Sequence, residues 1–240
     1  MCIQEAMTEM SCYDGLLYAF GVLSTVAMPS AAFPEHPHAG ARAALARVLR
    51  WVATYPHIGL TFKRADRYRL DGIVDANHAR EIHSTASGFA RSRSGGAIQA
   101  LGSSICAFSA VQKSTALSTY EAELYALVLI SRTLLAQRRL AEFLLDQTLP
   151  TSVVGCDNES TLKSLRRRDL TARNRHIRVY LGFILDAIDS NEIRFEHRVS
   201  HLNEANTLTK AEDDVTFLRS LIKLAGLPPN YKLQAASRTD

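Results

Sequence analysis

The sequence predicts an α/β domain, and three observations predict it. Apolar, strand-like runs close on a carboxylate twice, at G-I-V-D ending at Asp75 and at V-V-G-C-D ending at Asp157. Between them, Ser118 to Phe143 carries apolar residues at helical spacing. Along the second part of the chain the elements run strands, helix, strand, helix, helix, strand, helix, which is an α/β layout.

Each element has its own signal. Asp14 to Met28 is apolar, with Gly15 and Gly21 inside it, and has weak helical flanks. Pro34 and Pro37 mark a loop over Ala31 to His38. From Ala39 to Tyr55 the pattern is helical, with Leu45, Val48, Leu49 and Val52 apolar and Arg42, Arg47 and Arg50 basic; Pro56 ends it. His57 to Phe62 reads as extended. Tyr68 to Ala76, His83 to Ala90, Ala97 to Leu101 and Ile105 to Ser109 read as the strands of an antiparallel meander. The segment R-S-R-S-G-G, residues 91 to 96, supplies a turn between the middle two.

Ser118 to Phe143 is the strongest helix. Ser118 or Thr119 caps it, and Glu121 lies early, where a negative charge favours the helix dipole. Leu124, Leu127, Val128, Ile130, Leu134 and Leu135 form its apolar stripe. Ser152 to Asp157 is a strand, and Asn158 can cap a helix running through Arg166. Asn174 to Asp189 is helical, Ile193 to Val199 a strand, and Asn203 to Lys210 and Val215 to Leu224 helical. Gly226, Pro228 and Pro229 stop the last helix, and the tail from Gln234 is expected to fray.

Bulk properties narrow the class. The chain has 240 residues, 47% of them apolar, and a mean hydropathy of −0.06, which suits one sizeable globular domain with or without an appendage. No apolar run is long enough to cross a bilayer, so no membrane partner is expected. Met1 to Met10 contains Glu5 and Glu9 and no basic leader, so no signal peptide is expected. Cys2, Cys12, Cys106 and Cys156 lack C-x-x-C spacing and read as reduced thiols in a reducing compartment. The net charge of +4 is only mildly basic, but Arg166, Arg167, Arg168, Arg173, Arg175, His176 and Arg178 cluster and could line a phosphate track. For any one of these arginines, an ordinary solvated face is the simpler account.

Asp75, Glu123 and Asp157 carry the chemistry. Singly, they read as a turn residue, a surface helix residue and a cap. Together, acidic side chains that converge in one core call for a cation between them, because a lone buried carboxylate is costly. Glu121 competes with Glu123 for the helical position.

The chain resembles the C-terminal part of Ty/copia-type retrotransposon polyproteins: the end of the reverse transcriptase followed by the ribonuclease H domain. Family members carry Y-x-D-A-D-W-A-G, R-S-T-S-G-Y, S-S-T-E-A-E-Y-x-A-L, C-D-N-x-S-A, R-T-K-H-I and Q-L-A-D-x-x-T-K in that order. The corresponding text here is D-G-I-V-D-A-N-H-A-R, H-S-T-A-S-G-F, L-S-T-Y-E-A-E-L-Y-A-L, C-D-N-E-S-T-L, A-R-N-R-H-I and E-A-N-T-L-T-K. R-V-L-R-W-V-A-T-Y-P-H-I-G-L, from Arg47 to Leu60, looks like the family segment that precedes the nuclease. The blocks span roughly residues 14 to 226 and favour Glu123 over Glu121. No Y-x-D-D-type polymerase motif is present.

The resemblance implies a ribonuclease H-like mixed sheet flanked by helices, preceded by a small helical segment. It divides the chain into a helical remnant of the reverse transcriptase thumb or connection region (1–64), the ribonuclease H-like domain (65–226) and a flexible tail (227–240). It implies hydrolysis of the RNA strand of RNA/DNA hybrids with two magnesium ions (Mg2+), or manganese (Mn2+) in their place. Asp75 would bridge the ions, Glu123 would hold the one near the leaving group, and Asp157 would close the site. The family's fourth carboxylate falls on Asn206, so cleavage is expected to be reduced or lost, or to depend more on manganese. Glu204, Glu212, Asp213 and Asp214 lie near enough in sequence to compensate. His201, with His197 before it, is a candidate acid or base.

Ser84, Thr85, Ser118 and Asn158 are the polar groups placed to reach the substrate sugar, and Arg173, Arg175 and His176 the ones placed to reach phosphates. Each also has a local account, as a strand end, a helix cap or an exposed helix face. The other readings are a catalytically inactive nucleic-acid-binding relic, and a module that docks on the polymerase portion of a reverse transcriptase. The expected location is the cytoplasm, with a virus-like particle or the nucleus as alternatives.

Overall fold

A computed structural model of the chain describes residues 46, 49–51, 53–55, 58–65, 67–82, 90–168, 177–210 and 212–232. The strands are β1 (Asp71–Ile82), β2 (Ala90–Ala100), β3 (Ser103–Val111), β4 (Ser152–Cys156) and β5 (Ile193–His197). The helices are α1 (Thr119–Leu145), α2 (Glu159–Arg167), α3 (Arg178–Asp189) and α4 (Asp214–Leu224), with 3-10 turns at Ser200–Leu202 and Glu204–Leu208. The strands form one mixed sheet in the order β3-β2-β1-β4-β5. β1 pairs antiparallel with β2 and parallel with β4, β2 pairs antiparallel with β3, and β4 pairs parallel with β5.

Both faces of the sheet are covered. On one, Leu124, Leu127, Ile130 and Leu134 of α1 join Val74, Ile98 and Val154 of the sheet and Leu181 and Ile184 of α3 in the main core. On the other, Ile73 and Ala97 meet Ala205, Leu208 and Leu224 in a smaller cluster. This split follows from the period of two along a strand: Ile73 and Val74 point to opposite faces.

Several elements differ from the sequence reading. β1 does not end at Asp75 but runs on to Ile82, because Ala76 and Asn77 keep pairing with Ser94 and Arg93. The segment from Arg91 to Gly96 is no turn; β2 passes straight through it. The turn falls at Leu101 and Gly102, whose φ values of 53° and 84° suit a tight hairpin between right-twisted strands. Gly95 and Gly96 serve close approach instead: a Cβ on Gly95 would lie 2.7 Å from both Leu208 Cβ and Thr209 Cγ2. The expected helix over Asn203 to Lys210 is a 3-10 turn. α3 begins at Arg178, and residues 169–176 lie outside the described part. The helical reading of residues 14–28, the loop at 31–38 and, of the strand expected from His83 to Ala90, residues 83–89 also lie outside it.

Contacts cross the expected boundary between residues 64 and 65. Thr61 N–H donates to Ala225 O at 2.8 Å and Lys63 N–H to Leu101 O at 2.7 Å. Trp51 meets Phe217 of α4 edge-on, with ring centroids 6.3 Å apart. Among the described residues, no helix is long and apolar enough to cross a membrane.

Candidate metal centre

The centre lies where two parallel strands part. β1 and β4 pair at Gly72 with Val154, Ile73 with Gly155 and Val74 with Cys156, and the ladder stops there. The next position in that register is Asp75 on β1 and Asp157 on β4. Open α/β sheets bind ligands at this kind of place, outside the carboxyl ends of strands where the connections diverge.

Glu123 enters from α1. Ser118 fixes the helix start by accepting the Glu121 N–H at 3.2 Å. Glu121 is occupied locally: its carboxylate accepts Leu117 N–H at 2.8 Å and the Tyr125 hydroxyl at 2.7 Å. Glu123 is instead one of a group with Asp75 and Asp157, and each of the three offers an oxygen within 4.8 Å of the others. Asp75 and Glu123 are 1% and 4% exposed; Asp157 is half-buried.

Electrostatics follow from that crowding. Burial lifts the Glu123 carboxyl to about 9, and the negative charges of Asp75 and Asp157 push the same way; the Asn158 side chain, hydrogen-bonded to it, and Lys210 oppose. Burial also raises Asp75, against the pull of Lys210 and the Thr209 hydroxyl, with Asp157 adding to the rise. Glu123 Oε2 is buried and meets no hydrogen-bond donor. A carboxylate oxygen held without a partner beside two more carboxylates is a donor set for a hard divalent cation, so the residues present fit magnesium or manganese.

Asn206 sits at the rim of this group. Its amide nitrogen donates to Ser200 O at 2.7 Å, and its Oδ1 accepts Lys210 Nζ at 2.9 Å. The Ser200 hydroxyl donates to Asp157 Oδ2 at 2.7 Å, so one serine ties the third and fourth positions together. Three of the acidic neighbours are engaged elsewhere. Glu204 is buried and pairs with Arg198 and Lys223, Glu212 accepts from the Thr207 hydroxyl, and Asp213 caps α4. His201 and His197 are exposed.

Ser118 is a helix cap, and Asn158 both caps α2, accepting Thr161 N–H at 3.0 Å, and reaches Glu123. Ser84, Thr85, Arg173, Arg175 and His176 lie outside the described residues. Arg166 and Arg167 are exposed on α2, and Arg168 pairs with Asp189 of α3.

Four residues of the centre were not singled out from sequence. The Thr209 hydroxyl donates to Asp75 Oδ2. Lys210 Nζ lies 3.3 Å from Asp75 Oδ2. Asn203 donates from Nδ2 to Val74 O at 3.0 Å and so pins the 3-10 turn to β1 where its pairing with β4 ends. Ser200 is the fourth. Thr209 and Lys210 close the block E-A-N-T-L-T-K, so the signal was present; Ser200 and Asn203 had none.

A mixed sheet in this order, with α1 and α3 on one face and the 3-10 turn and α4 on the other, is a ribonuclease H-like α/β fold, with Asp75 and Asp157 at two adjacent strands and Glu123 on α1. Solved structures similar to this chain include ribonucleases H1. One isolated from compost by a metagenomic approach is 18% identical, with a TM-score of 0.43, over 59% of this chain and 92% of that one. In complex with an RNA/DNA hybrid it aligns at 15% identity and a TM-score of 0.44, over 59% and 94%. The ribonuclease H1 of Halobacterium salinarum is 18% identical, with a TM-score of 0.40, over 59% and 94%. No protein-family model and no curated protein matches the chain.

Proposed function

We propose that this chain is a retroelement-type ribonuclease H that hydrolyses the RNA strand of RNA/DNA hybrids with divalent metal ions, weakened by Asn206. The observation that carries the reading is the meeting of Asp75, Glu123 and Asp157 within 4.8 Å, with Glu123 Oε2 unpartnered. The ordered motif blocks support the retroelement origin. A divalent cation bound at such a centre would activate water and relieve charge on the leaving oxygen.

The chain's own residues do the rest. Asp75, Glu123 and Asp157 would hold the metal. Ser200 orients Asp157, Asn158 orients Glu123, and Thr209 orients Asp75. Ser118 and Asn158 also cap α1 and α2, and recognition of a hybrid would rest on 2′-hydroxyls in its wide minor groove.

A second reading has its own observation. Lys210 places an ammonium against Asp75 and Asn206, and a fixed cation there favours a hybrid-binding or polymerase-docking module that does not cleave. Cleavage of a labelled hybrid in magnesium and in manganese separates the two. The expected result is slow cleavage of the RNA strand, stronger in manganese, cut at least about 100-fold by Asp75→Asn and raised about 10-fold or more by Asn206→Asp. Equal rates for the parent and Asp75→Asn would sink the nuclease reading; binding without cleavage would establish the other.

A further inference from the structure

We propose that this centre binds one divalent ion, and that Lys210 and Asn206 together occupy the place of a second. The inference rests on the metal-centre reading above and goes beyond it to the number of ions.

Asp75 shares the group with Glu123 and Asp157, each offering an oxygen within 4.8 Å of the others. It also holds two further partners. The Thr209 hydroxyl donates to Oδ2, and Lys210 Nζ lies 3.3 Å from Oδ2 and 3.4 Å from Oδ1. The same ammonium lies 2.9 Å from Asn206 Oδ1. It therefore sits between Asp75 and Asn206, where an ion shared by those two side chains would have to be. A magnesium ion takes oxygen ligands at about 2.1 Å, so ammonium and metal cannot hold this space together.

Charge points the same way. Three carboxylates against one ammonium leave two formal negatives at the centre, matched by one divalent ion. A second ion would bring an excess of positive charge, with only a neutral amide at the fourth position to receive it. Asn206 is held for this arrangement at both ends, its nitrogen on Ser200 O and its oxygen on Lys210. Glu204 and Glu212, the acidic groups nearest in sequence, are committed elsewhere.

The test counts ions. Bound Mn2+ per chain is measured on the 240-residue chain by electron paramagnetic resonance titration and by isothermal titration calorimetry. Near-native circular dichroism of each variant is required before titration. One Mn2+ is expected for the wild type, none for Asp75→Asn, and two for the double variant Asn206→Asp with Lys210→Met. Two ions in the wild type would overturn the inference and leave the metal-centre reading standing. None in the wild type would overturn the metal-centre reading itself. One in both wild type and double variant would overturn the role given to Lys210 and Asn206. The wild-type count needs no variant to fold, so the question is decided in every case.

Discussion

At the level of single residues, Glu123 has the largest consequence. Its carboxyl is buried, unpartnered at Oε2 and raised from an ordinary 4.5 to about 9. Between those values the native state holds a proton that the unfolded chain has released. Stability from this group is thus full below about pH 4.5 and lost as pH rises through 9. In chelator, the melting temperature of the metal-free protein should fall from pH 6 to pH 9. Glu123→Gln should flatten that slope and raise the melting temperature at pH 8 by about 2–4 °C, roughly 1 kcal/mol for a domain of this size. Added Mg2+ should stabilise the wild type and leave the glutamine variant unmoved. A glutamine variant less stable than the parent at pH 8 would show that burial does not strain this carboxylate. The sequence identified Glu123 through its flanks and motif, but not its strain. That comes first from burial in the folded chain, with Asp75 and Asp157, far away in the chain, pushing the same way.

Among the elements, β2 shapes the centre without contributing a ligand. Gly95 is paired with Asp75 across the ladder, and its missing side chain lets Leu208 and Thr209 come down onto the sheet. Gly95→Ala would set a methyl 2.7 Å from both residues and push the 3-10 turn outward. We expect a loss of about 1–3 kcal/mol in denaturant unfolding. With Thr209 displaced from Asp75, Mn2+ affinity should change as well. Unchanged stability and unchanged affinity would mean the turn yields freely. The sequence pattern read these glycines as a turn because R-S-R-S-G-G has turn composition. At Gly95 the alternative use of glycine, where one backbone lies hard against another element, depends on Leu208 and Thr209, more than a hundred residues away, and leaves no local mark. α1 was legible for the opposite reason: its cap, first-turn Glu121 and apolar stripe are all local.

Over the whole molecule, the segment before the sheet is fastened to the domain. Thr61 and Lys63 hydrogen-bond to Ala225 and Leu101, beside the turn between β2 and β3 and the end of α4. Trp51, the chain's single tryptophan, lies against Phe217. Its fluorescence therefore reports on this attachment. In urea, the tryptophan signal and far-ultraviolet circular dichroism should trace one coincident transition, the behaviour of a single cooperative unit. An earlier tryptophan transition would mark the region before residue 65 as a separately unfolding part. Trp51→Ala should lower stability by about 1–3 kcal/mol, the order of a lost aromatic contact together with its burial.

The amino-acid sequence by itself determined the α/β class, the main helix, the strand before Asp157 and the identity of three acidic residues. Those are set by local patterns: apolar period, caps and ordered motifs. Only the tertiary structure decided that β1 runs past Asp75, that β2 crosses the presumed turn, and that Lys210 rather than another carboxylate stands beside Asp75 and Asn206. The physical reason is that these depend on strand register and on the close approach of the 3-10 turn to the sheet. Both are contacts between residues distant in the chain, and no short window of sequence encodes them.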